Sequence, residues 1–194
     1  MKTVLIATTN KDKYKIVSEL LKRTIFNENE YSIIKLSEDM NIPDEKETGD
    51  NIERARTKAL NAYNHLKEYN FDYIVGLDDA IVIKGKTEPN IKEYLNKIVF
   101  ENYLSDGETY AFNRAYCIVD KYKNIYETDI DIPYQYKSLD HDINLKEYGY
   151  PLSLVSCPVG SNTPLSELTD EEGIEYYLKY VKEDLMKLKG DINE

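Results

Sequence analysis

The chain has 194 residues, 41% of them hydrophobic, and a formal net charge of −11, a length that suits one ordinary domain with a real core, here taken as residues 1–194. The acidic balance excludes nonspecific duplex binding, which needs a lysine and arginine footprint, so no nucleic acid is expected as a partner. No run approaches the roughly 18 apolar residues of a membrane helix, and the first apolar run is shorter than a signal-peptide core of about 7–15 residues, so we expect no membrane partner and a cytoplasmic protein.

Val4-Leu5-Ile6-Ala7 reads as a short buried strand, and Tyr14, Val17, Leu20 and Leu21 recur at helical spacing. Between them lies Thr8-Thr9-Asn10-Lys11-Asp12-Lys13, a loop that empties onto a helix N-terminus. Such a place suits an anion, because backbone N–H groups and the positive end of the helix dipole point out of it. The alternative reading is that Asn10 or Asp12 caps the helix and the lysines are solvated.

Tyr31 to Leu36 reads as a second strand, followed by an acidic loop, Asp44 to Asp50. Ile52, Ala55, Ala59, Ala62, Tyr63 and Leu66 fall at steps of three and four and predict a helix to about Glu68, capped by Asp50 or Asn51. Tyr73 to Leu77 is a strand that ends in Asp78-Asp79, with Ile81 to Ile83 continuing it. Carboxylates there are costly unless a cation neutralises them, so salt bridges that merely end the strand are the competing reading. A helix over Ile91 to Tyr103, two strands over Thr109 to Asp120 and Asn124 to Ile132, an irregular stretch through Pro158-Val159-Gly160 and a final helix over Asp170 to Lys189 complete the pattern. Alternating strands and helices with an antiparallel portion predict an α/β fold with a mixed central sheet. Cys117 and Cys157 have no CxxC spacing, so neither zinc nor a disulfide framework is expected.

A Thr/Asn/Lys loop, an acidic loop and an acid pair are parts that phosphoryl hydrolysis needs: cations and N–H groups for oxygens, carboxylates for Mg²⁺ and for a water. Their order resembles the inosine/xanthosine triphosphate pyrophosphatases, which split non-standard purine nucleoside triphosphates into monophosphate and pyrophosphate. That family's T-G-N-x-x-K loop is matched by Thr8 to Lys13 with Thr9 for the glycine, its E-T-G by Glu47-Thr48-Gly49, and its E-N-A-x-x-K-A by Glu53 to Ala59, with one residue fewer in between. Asp78-Asp79 matches its acid pair, with Ala80 in place of a hydroxyl, and Pro89 to Leu95 resembles its P-x-I-K-x-x-L helix start. Tyr148-Gly149-Tyr150-Pro151 resembles F-G-Y-D-P without the aspartate, and Thr163 to Leu168 resembles T-x-A-E-L. The family's E-E-K-N-x-x-S-H-R segment has lost its base-reading cations here, unless Lys179 substitutes for one.

The resemblance implies two lobes around a nucleotide cleft, Mg²⁺ dependence and a homodimer. It implies that Asp79, with Asp78, activates water and meets the metal, that Glu47 holds Mg²⁺ with Asp44 or Glu45 as substitutes, and that Thr8, Thr9, Asn10, Lys11, Lys13, Lys58 and Lys92 hold the triphosphate. Tyr148, Gly149, Tyr150 and Lys179 would lie near the base. The expected activity is Mg²⁺-dependent nucleoside triphosphate pyrophosphatase with altered base specificity; the alternative is an inactive nucleotide-binding relative acting as a sensor.

Overall fold

The computed structural model describes residues 1–46, 48–101, 103–139 and 151–193. Strand β1 (Lys2–Ile6) leads into helix α1 (Lys11–Lys22), which buries Val17, Leu20 and Leu21. After β2 (Tyr31–Lys35) comes α2 (Asn51–His65), then β3 (Tyr73–Ile83), the short β4 (Lys86–Glu88) and α3 (Ile91–Phe100). Strands β5 (Thr109–Asp120), β6 (Ile125–Tyr136) and β7 (Ser156–Pro158) precede the terminal helix α4 (Asp170–Asn193). The strands form one seven-stranded sheet in the order β2-β1-β3-β5-β6-β7, with β4 on β3. It is mixed as expected: β1 pairs in parallel with β2 and β3, whereas β3–β4 and β6–β7 are antiparallel.

Several boundaries differ from the sequence reading. The strand runs unbroken through the acid pair into the continuation expected at Ile81 to Ile83, so Asp78 and Asp79 lie in the middle of β3 rather than at an end. A lysine from α2 supplies the neutralising charge that permits this. Helix α2 stops at His65 instead of Glu68, and a 3₁₀ turn over Lys67–Tyr69 follows, closed by Asn70 in the left-handed region with φ 52°. Helix α3 ends at Phe100 rather than Tyr103, β6 runs on to Tyr136, and α4 runs on to Asn193. The stretch expected to be irregular contains β7, which pairs Gln135 with Cys157. Both cysteines are free and buried.

The chain divides into two compact units: Met1–Asp78 with Arg114–Ile130 and Val181–Glu194, and Asp79–Asn113 with Asp131–Tyr180. In the first unit, α2 sits on the sheet through small residues. Ala55 and Ala59 are fully buried against Ala115, Cys117 and Val119 of β5. A Cβ on Gly76 of β3 would lie against the Ala55 carbonyl oxygen and 2.7 Å from the Ala59 nitrogen, closer than side-chain carbons approach backbone. Glycine is therefore what allows the helix backbone to touch the strand. In the second unit the core is aromatic: Tyr110, Phe112 and Tyr134 pack with centroids 4.9–6.4 Å apart. No helix among the described residues is long and apolar enough to cross a membrane.

Candidate functional site

The β1–α1 loop is shaped by its own side chains. Asn10 is the N-cap of α1 and accepts from the Lys13 backbone N–H at 3.0 Å, while its own N–H donates to Thr8 Oγ1 at 3.3 Å. The capping alternative therefore holds for Asn10, and it fixes Lys13 in the first helical turn. Thr9 and Lys11 are exposed, and Lys35 donates to the Thr9 carbonyl at 3.5 Å.

Across from this loop, α2 begins with a capping box. Glu53 N–H donates to Asp50 Oδ1 and Asp50 N–H to Glu53 Oε2, each at 2.9 Å. The box sets the phase of the helix. Ala55, Ala59 and Ala62 turn to the core, and Arg54, Thr57, Lys58 and Asn61, spaced i, i+3, i+4 and i+7, share another face. Those four line a cavity of about 360 Å³ together with Thr8, Thr9, Lys13, Asp44, Glu45 and an apolar wall that includes Leu36, Ile42 and Leu77. That volume lies at the low end for small-molecule sites, about 300–1,000 Å³. All of its lining residues belong to the first unit.

Strands β1 and β3 run in parallel with Ile6 opposite Val75, and Ala7 N–H donates to Val75 O at 2.8 Å. Asp78 follows three residues later, about 10 Å further along the strand, beyond the same end of β1 as the Thr8 to Lys13 loop. The Lys58 ammonium donates to its carboxylate in a pair whose side chains are only 28% and 9% exposed. Asp79 is buried to 9% exposure and opens the second unit's share of β3.

Glu45 differs from every other acid of the cavity wall. Both of its carboxylate oxygens are buried, and among the described residues neither has a hydrogen-bond partner. Burial pushes its pKa above the usual carboxylate range, against the opposing pull of Lys58 and His65. Its loop is held by Asn61 Nδ2, which donates to Pro43 O at 2.9 Å, and by Ile42 packing on the cluster around Leu5 and Phe71. Asp44 also lines the cavity but is exposed.

The sequence-derived residues thus fall into three groups. Thr8, Thr9, Lys13, Lys58 and Asp44 line one cavity, and Asp78 joins it through Lys58. Lys92 and Lys179 are exposed side chains of α3 and α4 in the second unit, Lys179 lying 5.2 Å over the Tyr180 ring. Glu47, Tyr148, Gly149 and Tyr150 lie outside the described residues. Arg54 was missed: it is 7% exposed, lines the cavity, and donates from Nε to the Gly49 carbonyl at 3.1 Å. The polar stripe Arg54, Thr57, Lys58 and Asn61 was the signal that could have found it.

No protein-family model and no curated protein matches the chain. Solved structures do. A HAM1 protein from Coxiella burnetii aligns with 100% of this chain and 99% of its own at TM-score 0.62 and 14% identity. The Staphylococcus aureus Ham1 protein covers 98% and 100% at TM-score 0.61 and 16% identity. This chain has the Ham1/ITPase fold. A third match of that fold, a nucleoside-triphosphatase / dITP/XTP pyrophosphatase from Mycobacterium abscessus, covers 96% and 97% at TM-score 0.57 and 16% identity. The Ham1/ITPase likeness spans essentially the whole chain, at a sequence identity of only 14–16%.

Proposed function

We propose that this chain is a Mg²⁺-dependent nucleoside triphosphate pyrophosphatase, in which water adds to the α-phosphorus, the α–β phosphoanhydride bond breaks, and pyrophosphate leaves. The observation that carries the reading is the combination, in one cavity, of Lys13, Arg54 and Lys58 with a carboxylate, Glu45, whose oxygens have no partner. Three cations suit the oxygens of a polyphosphate, and a desolvated carboxylate without a hydrogen bond is stable only when something cationic meets it.

Among the described residues no group of three or more His, Cys, Asp or Glu side chains stands ready to hold a metal. That fits Mg²⁺, which is commonly held by one or two carboxylates, with water and substrate phosphates completing an octahedron. Glu45 and Asp78 would hold it here, with Asp44 and Glu47 as further candidates. When bound, Mg²⁺ supplies charge neutralisation on the phosphates and lowers the pKa of a bound water. Thr8, Lys13, Arg54 and Lys58 would orient the triphosphate, Asn10 would act by fixing Lys13, and Asp79 would take the proton of the attacking water.

Lys92 is proposed for the triphosphate, and Tyr148, Tyr150 and Lys179 are the proposed neighbours of the base. Stacking on tyrosine accepts any base, whereas directional hydrogen bonds supply most polar selectivity. With Gly173 and Leu178 where the family has base-reading cations, discrimination among bases should stay below about a hundredfold. The test is a panel of inosine, xanthosine, adenosine, guanosine and pyrimidine triphosphates with Mg²⁺, assayed separately for pyrophosphate and orthophosphate. Pyrophosphate release with comparable kcat/KM across bases is expected. Binding without release would establish the inactive relative instead.

A further inference from the structure

Lys58 serves two carboxylates at once. Its ammonium donates to Asp78, and it also lies within the electrostatic reach of Glu45, whose oxygens have no hydrogen-bond partner. The helix that carries it cannot drift, because the capping box fixes its start and the contact of Ala55 and Ala59 with Gly76 fixes its distance from β3. Only the four-carbon stem is left to move the charge. Asp78 and Glu45 both have this ammonium as a neighbour, and removing one partner of a buried pair leaves an uncompensated charge.

We propose that Lys58 is the resident counterion of Asp78 and Glu45, and that it must release Asp78 and swing to a phosphate oxygen before that carboxylate can take a divalent metal. This rests on the metal and triphosphate of the reading above and adds an order to it. Metal alone meets a carboxylate already neutralised, and its arrival at Asp78 sets a second cation against the ammonium. When a polyphosphate is present, the displaced ammonium has an anion to meet. Metal and polyphosphate therefore favour each other's binding, reciprocally and by the same factor.

The probe is Mn²⁺ alone, titrated into the full chain without nucleotide and followed by its electron paramagnetic resonance signal. Lys58→Met should tighten Mn²⁺ by about 10- to 100-fold, the range over which groups that touch a metal ligand alter affinity. Lys58→Arg keeps the charge and should match the wild type. Lys13→Met removes a half-buried cation from the same cavity wall and should leave Mn²⁺ affinity within about threefold, since the pairing of Lys58 with Asp78 is left in place. Adding Asp78→Asn to Lys58→Met should abolish the gain. If Lys58→Met misfolds by circular dichroism, Lys58→Gln carries the same expectation.

Unchanged or weakened Mn²⁺ binding in the neutral variants overturns the proposal. So does an equal gain in Lys13→Met, which would reduce the effect to general charge, and so does a gain that survives Asp78→Asn. Turnover is read separately. Tightened Mn²⁺ binding in a protein that releases no pyrophosphate would sink the enzyme reading and leave this one standing, whereas pyrophosphate release with unaltered Mn²⁺ binding would do the reverse.

Discussion

The two compact units bury polar chemistry of different kinds. The first encloses charge: Asp78 and Arg54 are 7% exposed each, and the oxygens of Glu45 are fully enclosed. The second, apart from Asp79 at its first residue, encloses phenols: Tyr110 and Ser156 share a hydrogen bond of 2.5 Å, and the Tyr176 hydroxyl donates to the Pro133 carbonyl. Tyr136 also keeps a buried hydroxyl without a hydrogen-bond partner. An unpaired neutral hydroxyl costs about 1–3 kcal/mol and is tolerable in a core, whereas an isolated buried carboxylate costs far more. The difference teaches where to look: an orphaned acid marks a place prepared for a cation, and an orphaned phenol marks packing.

The sharpest way to break this comparison is to remove charge without changing shape. Asp79→Asn should lower kcat by about 10²–10⁴-fold while leaving nucleotide binding nearly intact, as loss of a proton acceptor does. Lys13→Ala should do the opposite and mainly raise KM, by about tenfold. Equal loss of binding in both variants, measured by calorimetry beside turnover, would contradict the two roles.

A second contrast compares two glycines. Gly76→Ala forces a carbon onto the α2 backbone and should cost about 1–3 kcal/mol or more, the range for overpacking. Because that contact also sets Lys58 over Asp78, activity should fall in the protein that remains folded. A Cβ on Gly173 of α4 meets nothing within 4 Å. Gly173→Ala should therefore stabilise by roughly 0.5–1 kcal/mol through helix propensity and leave turnover unchanged. Thermal melts of both variants check this, and equal shifts would contradict the close contact.

The smallest effect belongs to the aromatic unit. Tyr110→Phe removes the bond to Ser156, whose hydroxyl still donates to Leu152 O at 2.5 Å. The loss should be about 1 kcal/mol in a denaturant melt, with kcat and KM both unaltered.

How far the sequence carried depends on whether a residue's task shows in its immediate neighbours. The Thr8 to Lys13 loop was legible because strand, turn and helix signals meet there within a few residues. The capping box at Asp50 and Glu53 was equally local. Asp78 and Asp79 were misread as a strand end because aspartate disfavours strands, and the lysine that reverses this preference lies twenty residues away in sequence. Glu45 stood only as a substitute for Glu47, level with Asp44 in an acidic loop. What distinguishes it is desolvation, a property of the folded cavity that no local pattern records. Arg54 lay inside a matched motif at a position to which the match assigns no role. The side chains expected near the base had no such local frame, since a lost motif gives no spacing from which to read its replacement.

The seam of Ala55, Ala59 and Gly76 also governs how this sequence can change in length. With helix backbone resting on strand, no intervening side chains could adjust to a shifted register. One residue inserted or deleted between Glu53 and Lys58 would turn the lysine by about 100° around the helix and carry it off Asp78. The residue by which the chain is shorter than the motif it resembles falls ahead of that stretch, between Gly49 and Glu53. Length variation in descendants of this gene should accordingly collect ahead of Glu53 and be purged behind it, so that the helix from Glu53 to Lys58 is inherited as a unit of fixed count while its leader drifts.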